Sequence, residues 1–169
     1  MDSSTRRDAF EELVRLYTPR LYQQIRRMVL DHDDTNDVLQ NTYMKAWMGL
    51  EGFRGDAAVS SWLFRIAANE ALTFLNKKRE QTSLDSEAAI VRQLESDTWF
   101  DGDRLEAELQ AAIAQLPEKQ RIVFTLRYYD EMKYEEMSQL LNTSEGALKA
   151  SYHFAVQKLK EKLSESYDL

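Results

Sequence analysis

The chain has 169 residues, of which 43% are hydrophobic and 30% charged, and its 5 glycines and 2 prolines suit a soluble helical protein. It contains no cysteine, which excludes disulfides and thiolate metal sites and is compatible with a reducing cytoplasm. No apolar run approaches the roughly 18 residues of a membrane span, and the first residues show no signal-peptide pattern. We therefore expect a cytoplasmic protein without membrane insertion.

The net charge of −7 is unevenly distributed along the chain. Residues 1–80 carry 12 acids and 12 bases, whereas residues 81–110 carry eight acids and two bases. The remaining residues are almost balanced, so the acidity lies in the middle of the chain. Together with the helical composition, this distribution predicts an all-α protein of two small helical domains, 1–80 and 105–169, joined by an acidic linker over 81–104.

Apolar residues recur at intervals of three and four across residues 6–30, which predicts an amphipathic helix. They are Phe10, Leu13, Val14, Tyr17, Leu21, Ile25, Met28 and Val29. Pro19 interrupts this pattern, and it either kinks one helix or lies in the first turn of a second helix capped by Thr18. The pattern ends in an acidic stretch, where Asp33 or Asp34 can cap the next helix.

A second amphipathic helix is predicted from Asp34 to Leu50. We expect its inner side to bury Val38, Tyr43, Ala46, Trp47 and Leu50. Its other side carries Asp37, Gln40, Asn41 and Lys45. On the residues alone, this second set is a solvated polar face.

Two glycines mark a turn around Phe53, and a third helix is predicted from Ser61 to a basic cluster that ends at Arg79. One side of this helix carries Trp62, Ile66 and Asn69, and the neighbouring strip carries Leu63, Ala67 and Glu70. These residues form either a stacking surface with an amide and a phosphate anchor, or a buried tryptophan followed by cations at a helix C-terminus.

Helical periodicity resumes at Leu105, and Pro117 ends the first helix of the second half. After another amphipathic segment over 118–129, the pattern predicts a short helix, a tight turn capped by Ser144 and a longer helix. This order is the form of a helix-turn-helix. On pattern alone it is either a DNA-binding motif or an ordinary helical hairpin.

These segments together resemble the extracytoplasmic-function (ECF) sigma factors of the sigma-70 family, which are two-domain bacterial transcription initiation factors. The first domain resembles the family from Asp34 to Trp47, at Phe53 to Gly55, from Trp62 to Asn69 and at Lys77 to Arg79. The second domain does so from Leu116 to Leu126, from Tyr134 to Met137 and from Ser144 to Lys149. The segments follow one another in the family's order and spacing.

The resemblance implies a protein that is not an enzyme but directs core RNA polymerase to promoters and promotes strand opening. It implies core polymerase and promoter DNA as partners and allows an anti-sigma factor, and it implies no cofactor, metal or small-molecule substrate. The main rival is a stand-alone helix-turn-helix regulator, which usually dimerises to span two half-sites. The chain shows no spare dimerisation element.

The family's functional positions fall on three groups of residues. The resemblance implies binding to the coiled coil of the polymerase's largest subunit through Asp37, Gln40, Asn41 and Lys45. It implies minus-ten DNA binding by Phe53, Arg54, Arg65, Asn69, Lys77, Lys78 and Arg79, while Trp62 is expected in the core. It implies minus-thirty-five DNA binding by Arg121, Tyr134, Glu135, Lys149 and His153.

The second domain departs from the family at three positions. Ser151, Phe154 and Val156 stand where many relatives carry arginine, so we expect upstream-element binding to be weaker or different in its sequence choice. An exposed Phe154 alternatively serves a protein partner. The acidic linker has two interpretations. The resemblance implies that it follows the polymerase's basic channel, and the alternative is a tether that only keeps the protein soluble.

Overall fold

The computed structural model describes residues 2–55, 58–81 and 104–167, and within these ranges every regular element is helical. The all-α prediction is therefore confirmed. The chain divides into two compact units, Met1–Glu80 and Gln81–Leu169.

Almost all of the predicted acidic linker lies outside the described residues. No helix that the structure describes is long and apolar enough to cross a membrane.

The first unit contains three helices: α1 over Ser3–Val29, α2 over His32–Gly49 and α3 over Val59–Gln81, with a 3-10 turn at Leu50–Gly52. Its fully buried side chains include Leu21, Ile25, Met28, Val38, Leu63 and Ala67. The buried Gln24 side chain donates a hydrogen bond of 3.0 Å to the carbonyl of Phe64, and so joins α1 to α3.

Pro19 lies inside one continuous helix, so the alternative of a second helix starting at Thr18 is wrong. The hydroxyl of Thr18 instead donates a hydrogen bond of 2.6 Å to the carbonyl of Val14. The same hydroxyl oxygen contacts the hydroxyl of Tyr43 on α2, and burial raises the pKa of Tyr43. Because Thr18 has used its only proton, Tyr43 is the donor in that contact.

The corner between α1 and α2 is formed by Leu30 and Asp31. Leu30 has a positive φ of 73°, and its backbone N–H bonds to the carbonyl of Arg26, which stops α1. The carboxylate of Asp31 accepts a hydrogen bond of 3.0 Å from the backbone N–H of Asp34. Asp31 is thus the N-cap, and the expectation of a cap at Asp33 or Asp34 was wrong because both lie in the first turn of α2.

Trp47 is not the core residue that the periodicity predicted, since it is 37% exposed. Its ring packs edge-on against Phe10 at 5.1 Å, and the Arg6 guanidinium carbon lies 4.5 Å from its centroid. Arg6 also donates a hydrogen bond of 3.0 Å to the Trp47 carbonyl and forms an ion pair of 2.5 Å with Glu51. Trp47 therefore belongs to a surface contact that links the start of α1 to the end of α2.

The second unit contains α4 over Arg104–Ala114, α5 over Glu118–Phe124, a π-helical turn over Thr125–Tyr129, α6 over Tyr134–Leu141 and α7 over Glu145–Tyr167. Its buried cluster consists of Ala112, Ile113, Leu116, Phe124, Ala155 and Leu159. These residues come from α4, the segment after it, α5 and α7, so α7 is an integral part of the core.

A turn of three residues, 142–144, joins α6 to α7, as the predicted helix-turn-helix requires. Asn142 ends α6 in the left-handed conformation, with φ 50° and ψ 48°. The hydroxyl of Ser144 accepts a hydrogen bond of 3.2 Å from the backbone N–H of Ala147, as expected of an N-cap. The predicted cap and turn are confirmed, and together they fix the direction in which α7 leaves α6.

Candidate nucleic-acid and partner interfaces

One face of α2 is exposed along most of the helix. Asp37, Gln40 and Asn41 are exposed as the sequence predicted. Two residues that the sequence analysis did not include continue this face at helical spacing: Met44 is 62% exposed and Met48 is 69% exposed. Methionine is enriched in protein interfaces, so this strip is better explained as a surface that binds a protein partner than as a purely solvated face.

Lys45 lies on the edge of that face and is engaged within the unit. Its side chain is 58% exposed, and its ammonium forms an ion pair with the carboxylate of Glu70 on α3, whose side chain is only 9% exposed. The predicted role of Lys45 in polymerase docking stays a prediction. Lys45 also has a structural role within the first unit, because it neutralises the nearly buried carboxylate of Glu70.

We expect Lys45→Met to destabilise the first unit by about 1–2 kcal/mol. The cost of removing one partner of a buried ion pair is about 3–5 kcal/mol, and it is smaller here because Lys45 is solvated. In a double-mutant cycle measured by chemical denaturation, Lys45→Met with Glu70→Gln should cost less than the sum of the single changes. Arg7→Met, which breaks an exposed pair with Glu11, is the matched control and should cost less than about 1 kcal/mol. Strict additivity would show that the pair contributes nothing.

Phe53 and Trp62 form an aromatic pair beside the start of α3. Their ring centroids are 5.0 Å apart, and both side chains are half-buried. A Cβ at Gly49 would lie 3.3 Å from the Trp62 ring, so the glycine permits close packing there. Trp62 was expected in the core, but it is only half-buried and packs against one side of the Phe53 ring.

Asn69 lies on the same face of α3 as Trp62, because seven residues are about two helical turns, or roughly 10 Å. Its side chain is exposed, and its amide nitrogen donates a hydrogen bond of 3.1 Å to the carbonyl of Arg65. An aromatic pair and an exposed amide thus lie two turns apart on one surface.

The cations of α3 and its basic tail differ in how exposed they are. Lys77 and Arg79 are exposed, as are Arg54 and Arg65 nearer the start of the helix. Lys78 is half-buried, and its ammonium forms an ion pair of 2.6 Å with Asp34 on α2. A phosphate contact by Lys78 would have to break this interhelical bond, whereas Lys77 has no such contact to lose among the described residues.

In the second unit, Tyr134 gathers two cations around its ring. The Lys149 ammonium of α7 lies 5.6 Å from the ring centroid, and the Arg127 guanidinium carbon lies 4.9 Å from it. Arg127 also donates a hydrogen bond of 3.0 Å to the carbonyl of Met132. The structure therefore brings together two residues predicted to bind DNA, Tyr134 and Lys149, and Arg127 lies on the same ring.

Arg121 is buried, although it was predicted to contact DNA. It is 4% exposed, and its guanidinium donates a long hydrogen bond of 3.5 Å to the carbonyl of Leu116. A phosphate contact requires an accessible guanidinium, so the structure contradicts this role for Arg121. Glu135 and His153 are exposed, and the His153 ring lies 5.8 Å from Phe154.

His32 belongs to a side-chain network. Its Nδ1 lies 2.5 Å from the hydroxyl of Tyr22, and its Nε2 lies 3.2 Å from the amide nitrogen of Asn36. The buried Arg26 donates a hydrogen bond of 3.1 Å to the same Tyr22 hydroxyl. Among the residues that the structure describes, no group of three histidine or acidic side chains is arranged to hold a metal ion.

Two family models match the chain, one to each unit. The model for Sigma-70 region 2 matches residues 13–81, and the model for Sigma-70, region 4 matches residues 106–159. The two candidate interfaces of the first unit and the helix-turn-helix of the second fall within these matches.

Curated relatives match along most of the chain. The ECF RNA polymerase sigma factor SigW of Bacillus subtilis is 29% identical over 92% of this chain and 89% of its own length. The RNA polymerase sigma-H factor of Pseudomonas aeruginosa is 31% identical over 84% of this chain and 79% of its own. The ECF RNA polymerase sigma-E factor of Escherichia coli K12 is 30% identical over 92% and 86%.

Solved structures share the fold. The sigma factor RpoE of Bartonella quintana, in complex with the anti-sigma factor NepR, matches with a TM-score of 0.66 and 22% identity over 92% of this chain and 97% of its own. CnrH in complex with the cytosolic domain of CnrY matches with a TM-score of 0.59 and 26% identity over 94% and 90%. With the two regional models and relatives of 30% identity or more, these findings show that the chain belongs to the ECF sigma factors of the sigma-70 family.

Proposed function

We propose that this sigma factor docks on core RNA polymerase through α2, captures a non-template base of the minus-ten element with α3 and its preceding turn, and reads the minus-thirty-five element with α7. The observation that carries this proposal is the arrangement of the first unit. An exposed polar and methionine-containing strip on α2 adjoins α3, which presents an aromatic pair and an exposed amide. We further propose that the protein acts in the cytoplasm and catalyses no reaction of its own.

The proposed partner of the α2 strip is the coiled coil of the polymerase's largest subunit. Asp37, Gln40 and Asn41 supply polar groups, and the exposed Met44 and Met48 supply apolar area that a partner helix would cover. Lys45 would take part only at the edge, since it also neutralises Glu70. An anti-sigma factor is a second candidate partner, because NepR and CnrY are bound in the related structures.

We expect the double change Asp37→Lys with Gln40→Ala to weaken binding to core polymerase by about tenfold or more, as the loss of central interface residues does. Both side chains are exposed, so the free energy of unfolding should change by only about 0.5 kcal/mol. Affinity is measured by titrating core enzyme with labelled chain. Arg7→Met with Arg15→Ala, on exposed positions of α1, is the control. Unaltered binding of the α2 double mutant would contradict the docking assignment.

The proposed minus-ten site uses Phe53 for stacking and Asn69 for hydrogen bonding to a flipped base. Trp62 supports this surface because it packs against Phe53. Base stacking on an aromatic ring together with nearby cations is the usual way to hold single-stranded DNA. We assign phosphate contacts to Arg54, Arg65, Lys77 and Arg79, and we give Lys78 a lesser part because of its ion pair with Asp34.

The proposed minus-thirty-five site places α7 in the major groove. Lys149 and His153 are exposed and four residues apart, so they lie on one face of α7. Tyr134 and Arg127 lie beside Lys149 at the edge of this surface, where phosphate contacts fix the orientation of a helix-turn-helix. The exposed carboxylate of Glu135 only accepts hydrogen bonds, so we assign it to a cytosine amino group and not to a phosphate. Arg121 is excluded from the set by its burial.

The family comparisons do not favour the alternative of a stand-alone helix-turn-helix regulator. Run-off transcription separates the two functions. We expect the chain to confer specific initiation on core polymerase at a promoter selected by the holoenzyme, whereas a stand-alone regulator would bind duplex DNA but initiate nothing with core enzyme alone.

A further inference from the structure

The recognition helix α7 carries an exposed apolar strip that the polar contacts proposed above do not use. Ala147, Ala150 and Phe154 are all exposed, and 52% of Phe154 is open to solvent. Their spacing of three and four residues places them on one face of the helix. This strip runs between the start of α7 and its third turn, which is the part of a recognition helix that meets base edges.

One cation lies beside the strip and another lies at its far end. Lys149 adjoins Ala150 and is held against the ring of Tyr134, and Lys158 is exposed one turn after Phe154. A major groove has phosphates along both edges and base edges on its floor, so an apolar strip with cations beside it and at its end is complementary to it. Protein interfaces are depleted in lysine relative to the rest of the surface, whereas DNA-binding surfaces are enriched in it, so DNA is the better occupant.

Thymine is the one base that offers an apolar group in the major groove, through its C5 methyl, and alanine and phenylalanine are suited to contact it. We propose that Phe154, with Ala150 beside it, reads thymine methyl groups in the upstream promoter element. This inference rests on the proposed placement of α7 in the major groove. The small side chains of Ala147 and Ala150 allow the base edges to approach the helix closely.

The test removes only the methyl groups. Holoenzyme reconstituted from the full chain and core polymerase selects promoter fragments from a library that is random in the upstream element. A selected fragment is then synthesised with deoxyuridine in place of each thymine of that element. We expect binding to weaken about fourfold for each contacted methyl, which corresponds to the burial of one methyl group.

Two variants assign the effect to Phe154. Phe154→Ala should lose most of the preference for thymine over uracil and keep only the share that Ala150 supplies. Phe154→Arg should show the same loss while its salt slope steepens by about one unit. Leu105→Ala is the matched control, because Leu105 is also 52% exposed but lies on α4. This control should keep the wild-type ratio.

Equal binding of both fragments by the wild-type holoenzyme would overturn the proposal, and so would an unchanged thymine preference in Phe154→Ala. If Phe154→Ala keeps the preference but impairs assembly with core polymerase, Phe154 contacts protein and the proposal is wrong. If the wild-type holoenzyme selects no fragment at all, the proposed function itself fails, and this inference fails with it.

Discussion

Leu148→Ala should destabilise the second unit by about 2–5 kcal/mol, the usual cost of truncating a buried leucine. Leu148 is fully buried on the inner face of α7, and Met137 of α6 is also fully buried. A cavity at this position would loosen the packing that sets the angle between α6 and α7. We therefore expect upstream-element binding to fall together with stability.

Amide hydrogen exchange can assign that loss to one unit. Exchange should accelerate in α4 to α7 and stay at wild-type rates in α1 to α3, because the two units have separate cores. Leu105→Ala deletes the same atoms from an exposed site and should change stability by only about 0.5 kcal/mol. Equal losses in the two variants would show that burial does not determine the contribution of Leu148.

Phe53→Ala and Asn69→Ala should each preserve binding of closed duplex promoter yet slow strand opening. The lost stacking on Phe53 is worth about 1–3 kcal/mol per base, a factor of roughly 5 to 150 in rate. Asn69 is exposed, so its replacement removes a hydrogen-bonding group without creating a cavity. Permanganate reactivity of unpaired thymines, followed over time, measures the opening.

Thr73→Ala tests whether the defect of Asn69→Ala comes instead from a local disturbance of helix α3. Thr73 is exposed one turn after Asn69 and donates a hydrogen bond of 2.9 Å to the Asn69 carbonyl. If this variant opens promoters normally, the effect of Asn69→Ala comes from its side chain and not from a disturbed helix. Wild-type footprints in both Phe53→Ala and Asn69→Ala would mean that the flipped base is held elsewhere.

Local patterns predicted most of the helical architecture. The period of apolar residues located α1, and the sequence from Asn142 to Ser144 identified the turn and cap that precede α7. These features depend on residues close together in the chain, whose helical spacing and backbone preferences act locally. The same reasoning identified the family, since its motifs lie on single helices.

Periodicity was less informative where a helix is apolar on several sides. In α2, Val38 and Ala46 are buried, whereas Met44 and Met48 are exposed and Trp47 lies at the margin. Spacing alone cannot decide which apolar strip faces the core when both are present. The burial of Arg121 was missed for a related reason, because a single arginine on a short helix gives no signal of its orientation.

Contacts between distant parts of the chain were not predictable from one sequence. The ion pairs Lys45–Glu70 and Asp34–Lys78 join residues 25 and 44 positions apart. Each side chain had a reasonable local interpretation as a surface charge. Only the packing of α2 against α3 shows that two of the predicted functional cations also hold the unit together.

The contacts that Arg6 makes with Trp47 and Glu51 have a practical consequence for how the protein is prepared. Arg6 lies in the second turn of α1 and binds Trp47 and Glu51, which immediately precede the turn that carries Phe53. Shortening the amino terminus by a few residues, or attaching a bulky tag there, would therefore disturb the segment that leads into the proposed base pocket. Slow promoter opening measured with such a protein would then come from the altered terminus and would be mistaken for a defect of the base pocket. Carboxy-terminal tags are therefore the safer choice for these assays.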